Sequence, residues 1–216
     1  MNVSPTAGAG LAAFVLAGGK SSRMGSDKAL LEIAGEPLIL RTVRLASTVA
    51  SSNVRVVGGA QRFAHLAIET IEDDSPDHGP LGGIATALRA TAAEWNLILA
   101  CDLPYLTREW LEFLVARAGN AAHSTDAVVP ATRHQNYEPL CAVYRKCCAT
   151  DAASAVASGH LRVQEFVAAL HTAGRLEPVE LAEWKRFDST GRLFKNMNEP
   201  GDFDEARRAL RERAEP

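Results

Sequence analysis

The chain has 216 residues, of which 47% are hydrophobic, enough for one well-buried domain but too little for two comfortable ones. Its formal net charge of −3 excludes the overall basic character that is typical of nucleic-acid-binding proteins. Nowhere does an apolar run approach the roughly 20 residues that a membrane-spanning helix requires. We therefore expect a cytoplasmic protein with neither nucleic-acid nor membrane partners.

Two further features bear on the class of protein. Residues 1–10 are small and polar and lack a signal-peptide pattern, so we interpret them as a flexible tail before one domain at residues 11–216. The four cysteines have no C-x-x-C spacing, which argues against a disulfide framework or a zinc site. They are typical of small buried residues in a reducing compartment.

Apolar runs and helical patterns alternate along the first half of the chain. Strands are predicted at residues 12–16, 53–57, 67–71 and 95–100, and helices at 38–50, 84–91 and 107–118. Residues 75–83 contain too many glycines and prolines for regular structure, so a loop is predicted there. Strand followed by helix, repeated, is the pattern of a parallel sheet with helices packed on it.

The second half of the chain is less regular. Strands are predicted at residues 126–130, 140–144 and 176–181, and helices at 147–158, 163–170 and 202–213. Neither an internal repeat nor a linker-like composition divides the chain. The sequence therefore predicts a single three-layer α/β/α domain with a mainly parallel, Rossmann-like sheet.

Residues 11–28 combine a strand, a glycine turn and a basic loop. The strand ends at Gly18-Gly19, where the absence of a Cβ atom allows a sharp turn. Three cations follow closely, namely Lys20, Arg23 and Lys28. Exposed N–H groups together with fixed cations neutralise several charged oxygens at once, so we expect a polyphosphate ligand, and a nucleoside triphosphate in particular.

Two common phosphate-binding motifs do not fit this stretch. A Walker loop ending at Gly19-Lys20-Ser21 would need a glycine at position 14, which is Phe14. The dinucleotide fingerprint G-x-G-x-x-G also fails, because the next glycine after Gly19 is Gly25. A redox Rossmann domain is therefore not indicated.

Asp102 directly follows the clearest buried strand of the chain, residues 95–100. Ligands of open parallel sheets lie beyond the carboxyl ends of the strands, so Asp102 and the Gly18 turn are expected to face the same crevice. A divalent cation such as Mg²⁺ needs oxygen ligands and takes only one or two protein carboxylates. Asp102 is therefore the best candidate for a Mg²⁺ ligand, although a single aspartate after a strand can also be a helix cap or a loop anchor.

Three motifs, in this order, resemble the molybdenum cofactor guanylyltransferases, a family within the nucleotidyltransferase superfamily. They are Leu16-Ala17-Gly18-Gly19 continued by Ser21-x-Arg23-Met24-Gly25-x-Asp27-Lys28, then Gly79-Pro80-Leu81-x-Gly83, and Cys101-Asp102-x-Pro104. A weaker fourth motif is Asn196-x-Asn198-x-Pro200. The resemblance covers residues 11 to about 205 and implies a fold of the nucleotide-diphospho-sugar transferase type.

The resemblance implies that GMP is transferred from GTP to the phosphate of molybdenum-bound molybdopterin, giving the guanine dinucleotide cofactor and pyrophosphate, with Mg²⁺ as cofactor. It implies transient contact with cofactor-inserting proteins or molybdoenzymes. The implied catalytic residues are Arg23, Lys28 and Asp102. The implied nucleotide-binding residues are Leu16, Ala17, Gly18, Gly19, Lys28, Asp73, Gly79, Pro80, Leu81 and Asp102. The implied metal ligands are Asp102 and Asn198, and the implied acceptor-binding residues are Tyr144, Arg162, Asn196 and Asn198.

Several alternatives stay open at this point. Asp74 is an alternative to Asp73 as the acidic residue that contacts the nucleotide. Arg162 could bind the acceptor phosphate or equally lie on a solvated helix face. Glu138 stands where the family often has His or Gln, which leaves the acceptor contacts open. Gly18 favours guanine, because related cytidylyltransferases tend to carry Ala there, but transfer from CTP, or to a deazaflavin-cofactor or sugar acceptor, is the nearest rival. A GTP-binding module without turnover is the alternative from another class.

Overall fold

The structure, a computed structural model, describes residues 10–18, 27–132, 136–188 and 190–212. Nearly all of the predicted tail and part of the basic loop, with Gly19 and Arg23, therefore lie outside the described residues. The strands are β1 (Leu11–Leu16), β2 (Glu32–Ile33), β3 (Glu36–Pro37), β4 (Val54–Val57), β5 (Thr70–Ile71), β6 (Trp95–Ala100), β7 (Ala127–Pro130), β8 (Cys141–Arg145) and β9 (Leu176–Val179).

The α-helices are α1 (Leu38–Ala50), α2 (Ala60–Phe63), α3 (Gly79–Arg89), α4 (Arg108–Gly119), α5 (Cys148–Ala157), α6 (Val163–Thr172), α7 (Leu181–Trp184) and α8 (Pro200–Glu212). Short 3₁₀ helices occupy Lys28–Leu30, Ala64–Leu66 and Lys185–Phe187. Within the described residues, every helix is too short or too polar to cross a bilayer.

Seven of the strands form one sheet in the order β5-β4-β1-β6-β8-β7-β9, and β2 pairs with β3 in a separate two-stranded sheet. In the large sheet, β8 runs antiparallel to both of its neighbours, whereas all other pairs are parallel. β1 lies in the middle of the parallel part, with Ala13 opposite Val54 on one side and Leu97 on the other. The predicted mainly parallel α/β sheet is confirmed.

Both faces of the sheet are covered, which explains why β1 is apolar throughout and why β6 has a single polar residue, the buried Asn96. Ala13 and Val15 point into one core, which they share with α1 and α4. Phe14 and its even-numbered neighbours point into the other core, with α3, α5 and α6. Side chains alternate between the two faces of a strand, so a strand with a core on each side has no polar face. These two cores make the three layers of the predicted fold.

Several predicted bounds agree closely with the structure. The helix at 38–50 and the strand at 95–100 have the predicted bounds. The helix predicted from residue 107 begins at Arg108, because Thr107 is its N-cap and accepts a hydrogen bond from the Trp110 N–H at 3.3 Å. The last helix begins earlier than predicted, at Pro200.

Other predictions were wrong. The loop predicted at 75–83 ends early, because α3 already begins at Gly79; Pro80 lies in its first turn, where a missing N–H costs nothing. The strand predicted at 67–71 is limited to Thr70–Ile71. The strand predicted at 176–181 stops at Val179, because Glu180 and Glu183 form a capping box that starts α7. The short helices α2 and α7 were not predicted.

Candidate active site

Several of the predicted site residues lie at the edge of the sheet that the carboxyl ends of β1, β5 and β6 share. The main chains after β1 and β6 are joined by a hydrogen bond from the Cys101 N–H to the Leu16 carbonyl at 3.3 Å. Gly18 lies beside the loop that follows β5, since a Cβ atom added at Gly18 would be 4.0 Å from Asp73 Oδ2. Residues from three strands, distant in sequence, thus border one cleft.

Leu16 and Ala17 lie at the carboxyl end of β1, at this edge of the sheet. Both are buried, and the Ala17 N–H donates to the Val57 carbonyl at 3.0 Å, which extends the strand ladder by one residue. The N–H of Ala17 is therefore engaged within the protein. Gly18 is the first residue beyond the ladder, and the nucleotide contact of this stretch stays a prediction.

Lys28, Asp102 and Asn198 lie together beside the end of β6. The Lys28 ammonium donates to the Asn198 side-chain oxygen at 3.2 Å and to the Met197 carbonyl. The Met197 N–H donates in turn to the Asp102 main-chain oxygen at 3.1 Å. The C-terminal segment 196–198 is thereby tied both to the loop after β6 and to Lys28.

The charges of this group influence one another. Burial raises the pKa of the Asp102 carboxyl above its ordinary value, and the nearby Lys28 ammonium opposes the rise. Glu138 precedes β8, and because β8 is antiparallel, this residue reaches the same edge of the sheet. Burial, together with the negative charge of Asp102, raises the pKa of Glu138 to about 7. The cleft therefore holds negative charge that a cation would stabilise.

The oxygen donors of the cleft fit a magnesium ion that is bound mainly through its substrate. Asp102 offers a partly buried carboxylate, and Asn198 offers an amide oxygen. Within the described part of the chain, no three His, Cys, Asp or Glu side chains are close enough to enclose a metal. Such a site suits Mg²⁺, which usually takes one or two carboxylates and completes its shell with waters and phosphate oxygens.

Asp73 and Asp74 have different surroundings, which favours Asp73 as the nucleotide contact. Asp73 Oδ1 accepts hydrogen bonds from the Ser75 N–H at 2.9 Å and from the Thr86 hydroxyl at 3.1 Å, which hold its carboxylate beside Gly18. Asp74 is exposed and forms an ion pair with Arg89.

The N-terminal turn of α3 lies at the same edge of the sheet. Gly79 has a φ of +63°, a value that glycine adopts without strain, and Pro80 is exposed. The Leu81 side chain is fully buried, so only its main chain could reach a nucleotide. Gly83 packs close to Leu16, where an added Cβ atom would be 3.4 Å from the leucine methyl carbons. This contact fixes α3 against β1.

The predicted acceptor-binding residues do not all lie in the cleft. The structure does not support the prediction for Tyr144, whose side chain is fully buried and whose hydroxyl donates to the Pro139 carbonyl at 2.9 Å. Arg162 is exposed before α6 and pairs with Glu165 at 3.3 Å, on a solvated face. Asn196 is exposed and accepts a hydrogen bond from the Asn198 amide at 3.0 Å, beside Lys28.

Sequence reasoning missed Arg62, on α2. Its guanidinium donates to both carboxylate oxygens of Asp27 and to the Ala17 carbonyl. It also lies over the Phe63 ring, 4.8 Å from the centroid. These polar partners are 35 and 45 residues away in the chain, and Arg62 belongs to none of the motifs, so no local pattern pointed to it.

A model of the MobA-like NTP transferase domain matches residues 13–173, which is most of the chain. The chain belongs to the MobA-like NTP transferase family. Family membership makes this protein a nucleotidyltransferase, and it confirms the predicted relationship to the molybdenum cofactor guanylyltransferases. The segment 196–198, which completes the cleft, lies beyond the matched residues.

Named relatives support the family assignment along most of the chain. A protein of Opitutus terrae named probable molybdenum cofactor guanylyltransferase is 36% identical over 205 residues, covering 92% of this chain and 95% of the relative. A protein of the same name from Nostoc is 38% identical over 140 residues, covering 64% and 67%.

Solved structures share the fold of this chain. Molybdopterin-guanine dinucleotide biosynthesis protein A from Archaeoglobus fulgidus superimposes with a TM-score of 0.77 at 25% identity, covering 93% of this chain and 98% of that one. A nucleotidyl transferase from Methanothermobacter has a TM-score of 0.72 at 20% identity, covering 95% and 100%. The second likeness, below 25% identity, concerns the fold alone.

Proposed function

We propose that this MobA-like transferase moves GMP from GTP to the phosphate of molybdenum-bound molybdopterin, producing the guanine dinucleotide cofactor and pyrophosphate. The observation that carries the proposal is the meeting of Lys28, Asp102 and Asn198 at the edge of the sheet where Gly18 and Asp73 also lie. The choice of guanine and of the molybdenum cofactor follows from the names of relatives that align along most of the chain.

The reaction needs no covalent enzyme intermediate. An oxygen of the acceptor phosphate attacks the α-phosphorus of GTP, a new P–O bond forms, and the bond to the β-phosphate breaks, so that pyrophosphate leaves with the electron pair. Because the attacking oxygen is already negative, catalysis consists of positioning and charge neutralisation. In our proposal, Lys28 supplies positive charge beside the phosphates, as Arg23 does from outside the described residues.

We propose Asp102 and Asn198 as the residues that hold Mg²⁺. When bound, this ion neutralises charge on the phosphate oxygens and makes the α-phosphorus a better electrophile. Lys28 keeps the Asn198 amide oxygen oriented toward the cleft, and the contact of Met197 with Asp102 keeps the two ligands adjacent. The chain thus provides a hard-oxygen site that is completed by the substrate.

On the nucleotide side, the proposed contacts are the main chain at Leu16–Gly19, Asp73, and the turn Gly79–Leu81 that begins α3. A carboxylate can only accept hydrogen bonds, so Asp73 suits a sugar hydroxyl or an N–H group of the base. On the acceptor side, we propose Asn196 and Asn198. A cytoplasmic location and transient contact with cofactor-inserting proteins or molybdoenzymes also remain proposals.

The test is pyrophosphate release from GTP, CTP, ATP and UTP in turn, with Mg²⁺ and molybdenum cofactor. Asp102→Ala is the blank, and Glu94→Ala is the matched control, because Glu94 is an exposed carboxylate that precedes the opposite end of β6. We expect release with GTP, no release by Asp102→Ala, and wild-type release by Glu94→Ala.

The other outcomes are equally informative. Release with CTP alone would retain the mechanism but overturn the choice of base. GTP binding without release on any phosphorylated acceptor would overturn the enzyme and support a binding module. Full activity of Asp102→Ala would overturn the role that we propose for this carboxylate.

A further inference from the structure

Asp27 and Ala17 flank the glycine-rich and basic part of the first motif. Ala17 is the residue directly after β1, and Asp27 directly precedes the 3₁₀ helix Lys28–Leu30. Both are described in the structure, and both contact Arg62, which comes from the separate helix α2. One side chain therefore joins the two ends of the predicted nucleotide-binding stretch.

The geometry of this contact is specific to arginine. Two guanidinium nitrogens donate to the two carboxylate oxygens of Asp27, while a third nitrogen donates to the Ala17 carbonyl. A planar guanidinium can make such a fork and still reach a third acceptor, whereas a lysine ammonium is a point charge without that fixed direction. Both charged side chains are only partly exposed, so solvent screens the pair less than it screens a surface ion pair.

The contact continues to Lys28 through Asp27. Asp27 Oδ1 also accepts a hydrogen bond from the Ala29 N–H at 3.0 Å and so caps the short helix that carries Lys28. Lys28, in turn, reaches Met197 and Asn198 across the cleft. The direction in which Lys28 leaves the main chain therefore depends on Asp27, whose carboxylate is oriented by Arg62.

We propose that Arg62 is a positioning residue of the transferase, which holds Asp27 against the end of β1 and thereby aims the Lys28 ammonium at the phosphates. This inference rests on the proposed function, because it assigns Lys28 to the phosphates. It adds a residue that lies on α2, outside the motifs on which the site assignment rests. In this proposal, Asp27 connects Arg62 to the short helix that carries Lys28.

The variant that tests the proposal is Arg62→Lys, which keeps the positive charge but loses the fork. Arg44→Lys is the matched control, because Arg44 also makes a two-nitrogen contact with a carboxylate, Glu36, at 3.0 and 2.7 Å, on the solvent-exposed face of α1. We expect Arg62→Lys to lower kcat on the order of tenfold or more, as small displacements of catalytic groups do, with a smaller change in KM. Arg44→Lys should have wild-type kcat.

Two further measurements separate positioning from simple stabilisation. In the double variant Arg62→Lys with Asp27→Asn, kcat should fall no further than in the worse single variant, because both changes break the same link. Millimolar guanidinium ion should restore part of the kcat of Arg62→Ala but none of that of Lys28→Ala. A lowered unfolding midpoint with unchanged kcat would show that Arg62 only stabilises the fold, and would overturn the proposal.

A measurement that does not require catalysis tests this inference independently of the proposed reaction. The rate at which acetic anhydride labels each lysine can be measured by mass spectrometry, with exposed Lys146 as internal reference. We expect Lys28 to label severalfold faster in Arg62→Lys than in wild type, while Lys146 is unchanged. If wild type releases no pyrophosphate but Lys28 is labelled faster in Arg62→Lys, the proposed reaction is wrong and the positioning of Lys28 by Arg62 is supported. Unchanged labelling of Lys28 overturns the positioning.

Discussion

Gly82, in the first turns of α3, has no room for a side chain. A Cβ atom at this position would lie 2.6 Å from the carbonyl oxygen of Ser75 and 3.1 Å from the Ser75 Cβ atom. The nearer contact is with backbone, so either the segment before α3 or the helix itself would have to shift. At neighbouring Gly83, the added atom would be 3.4 Å from the methyl carbons of Leu16, which is an ordinary contact with a flexible side chain.

These contacts predict opposite effects for two adjacent substitutions. Replacing glycine by alanine inside a helix gains up to about 1 kcal/mol from propensity. Overpacking a close contact costs about 1–3 kcal/mol. Gly83→Ala should therefore be neutral or up to about 1 kcal/mol more stable than wild type. In Gly82→Ala the clash is with backbone, so the cost lies at the upper end of its range, and after the propensity gain the variant should be about 2 kcal/mol less stable.

Urea unfolding followed by circular dichroism would measure the difference, as a change in midpoint at constant slope. The Ser75 N–H donates to Asp73, so a displaced Ser75 also disturbs the proposed nucleotide contact, and KM for GTP should rise in Gly82→Ala but not in Gly83→Ala. Equal stability of the two variants, with equal KM, would refute the steric argument.

Three further predictions concern single side chains of the cleft and its surroundings. Asp73→Asn should raise KM for GTP roughly tenfold or more, and Asp74→Asn should leave it unchanged; the reverse result in steady-state kinetics would select Asp74 instead. Tyr144→Phe should lower the free energy of unfolding by about 1–3 kcal/mol, because it leaves the buried Pro139 carbonyl without its donor, and should not change KM for the acceptor. A changed KM for the acceptor would instead support the prediction that Tyr144 is an acceptor-binding residue. Glu138 ionises at a pKa of about 7 in the folded protein against an ordinary 4.5, so the folded form binds its proton more tightly, and stability without metal should fall as pH rises between these values. In urea titrations with EDTA, Glu138→Gln should make the decrease in the free energy of unfolding with pH shallower. An unchanged pH profile would contradict the raised pKa of Glu138.

Much of the fold could be predicted because its central strands are buried on both faces. The apolar run at residues 12–16 and the run at 95–100, interrupted only by Asn96, have few alternative explanations, and their bounds agree with β1 and β6 within one residue. The start of α3 could not be predicted in the same way. Gly79, Pro80 and Gly82 favour a loop by local propensity, but close packing on Ser75 requires a glycine at residue 82 within the helix.

The site was predictable where the chemistry lies next to a strand end, and unpredictable where it depends on distant partners. Asp102 follows β6 directly, so the sheet geometry alone brings it to the edge where Gly18 lies. Tyr144 lies in β8, which is buried on both sides, and a strand without a polar face does not reveal which side chains could reach a cleft. Arg62 acts on residues far away in the chain, which no local pattern records.

The contacts of Lys28 with Met197 and Asn198 join residues that are 169 and 170 positions apart. Contacts across so long a stretch of chain require most of the loop-closure entropy to have been offset by other interactions. The sheet and its two cores involve many shorter connections, whereas the cleft is complete only when the segment before α8 has docked. Under the proposed roles, catalysis therefore requires the segment before α8 to be docked, and a chain with its sheet formed but this segment undocked is expected not to turn over nucleotide.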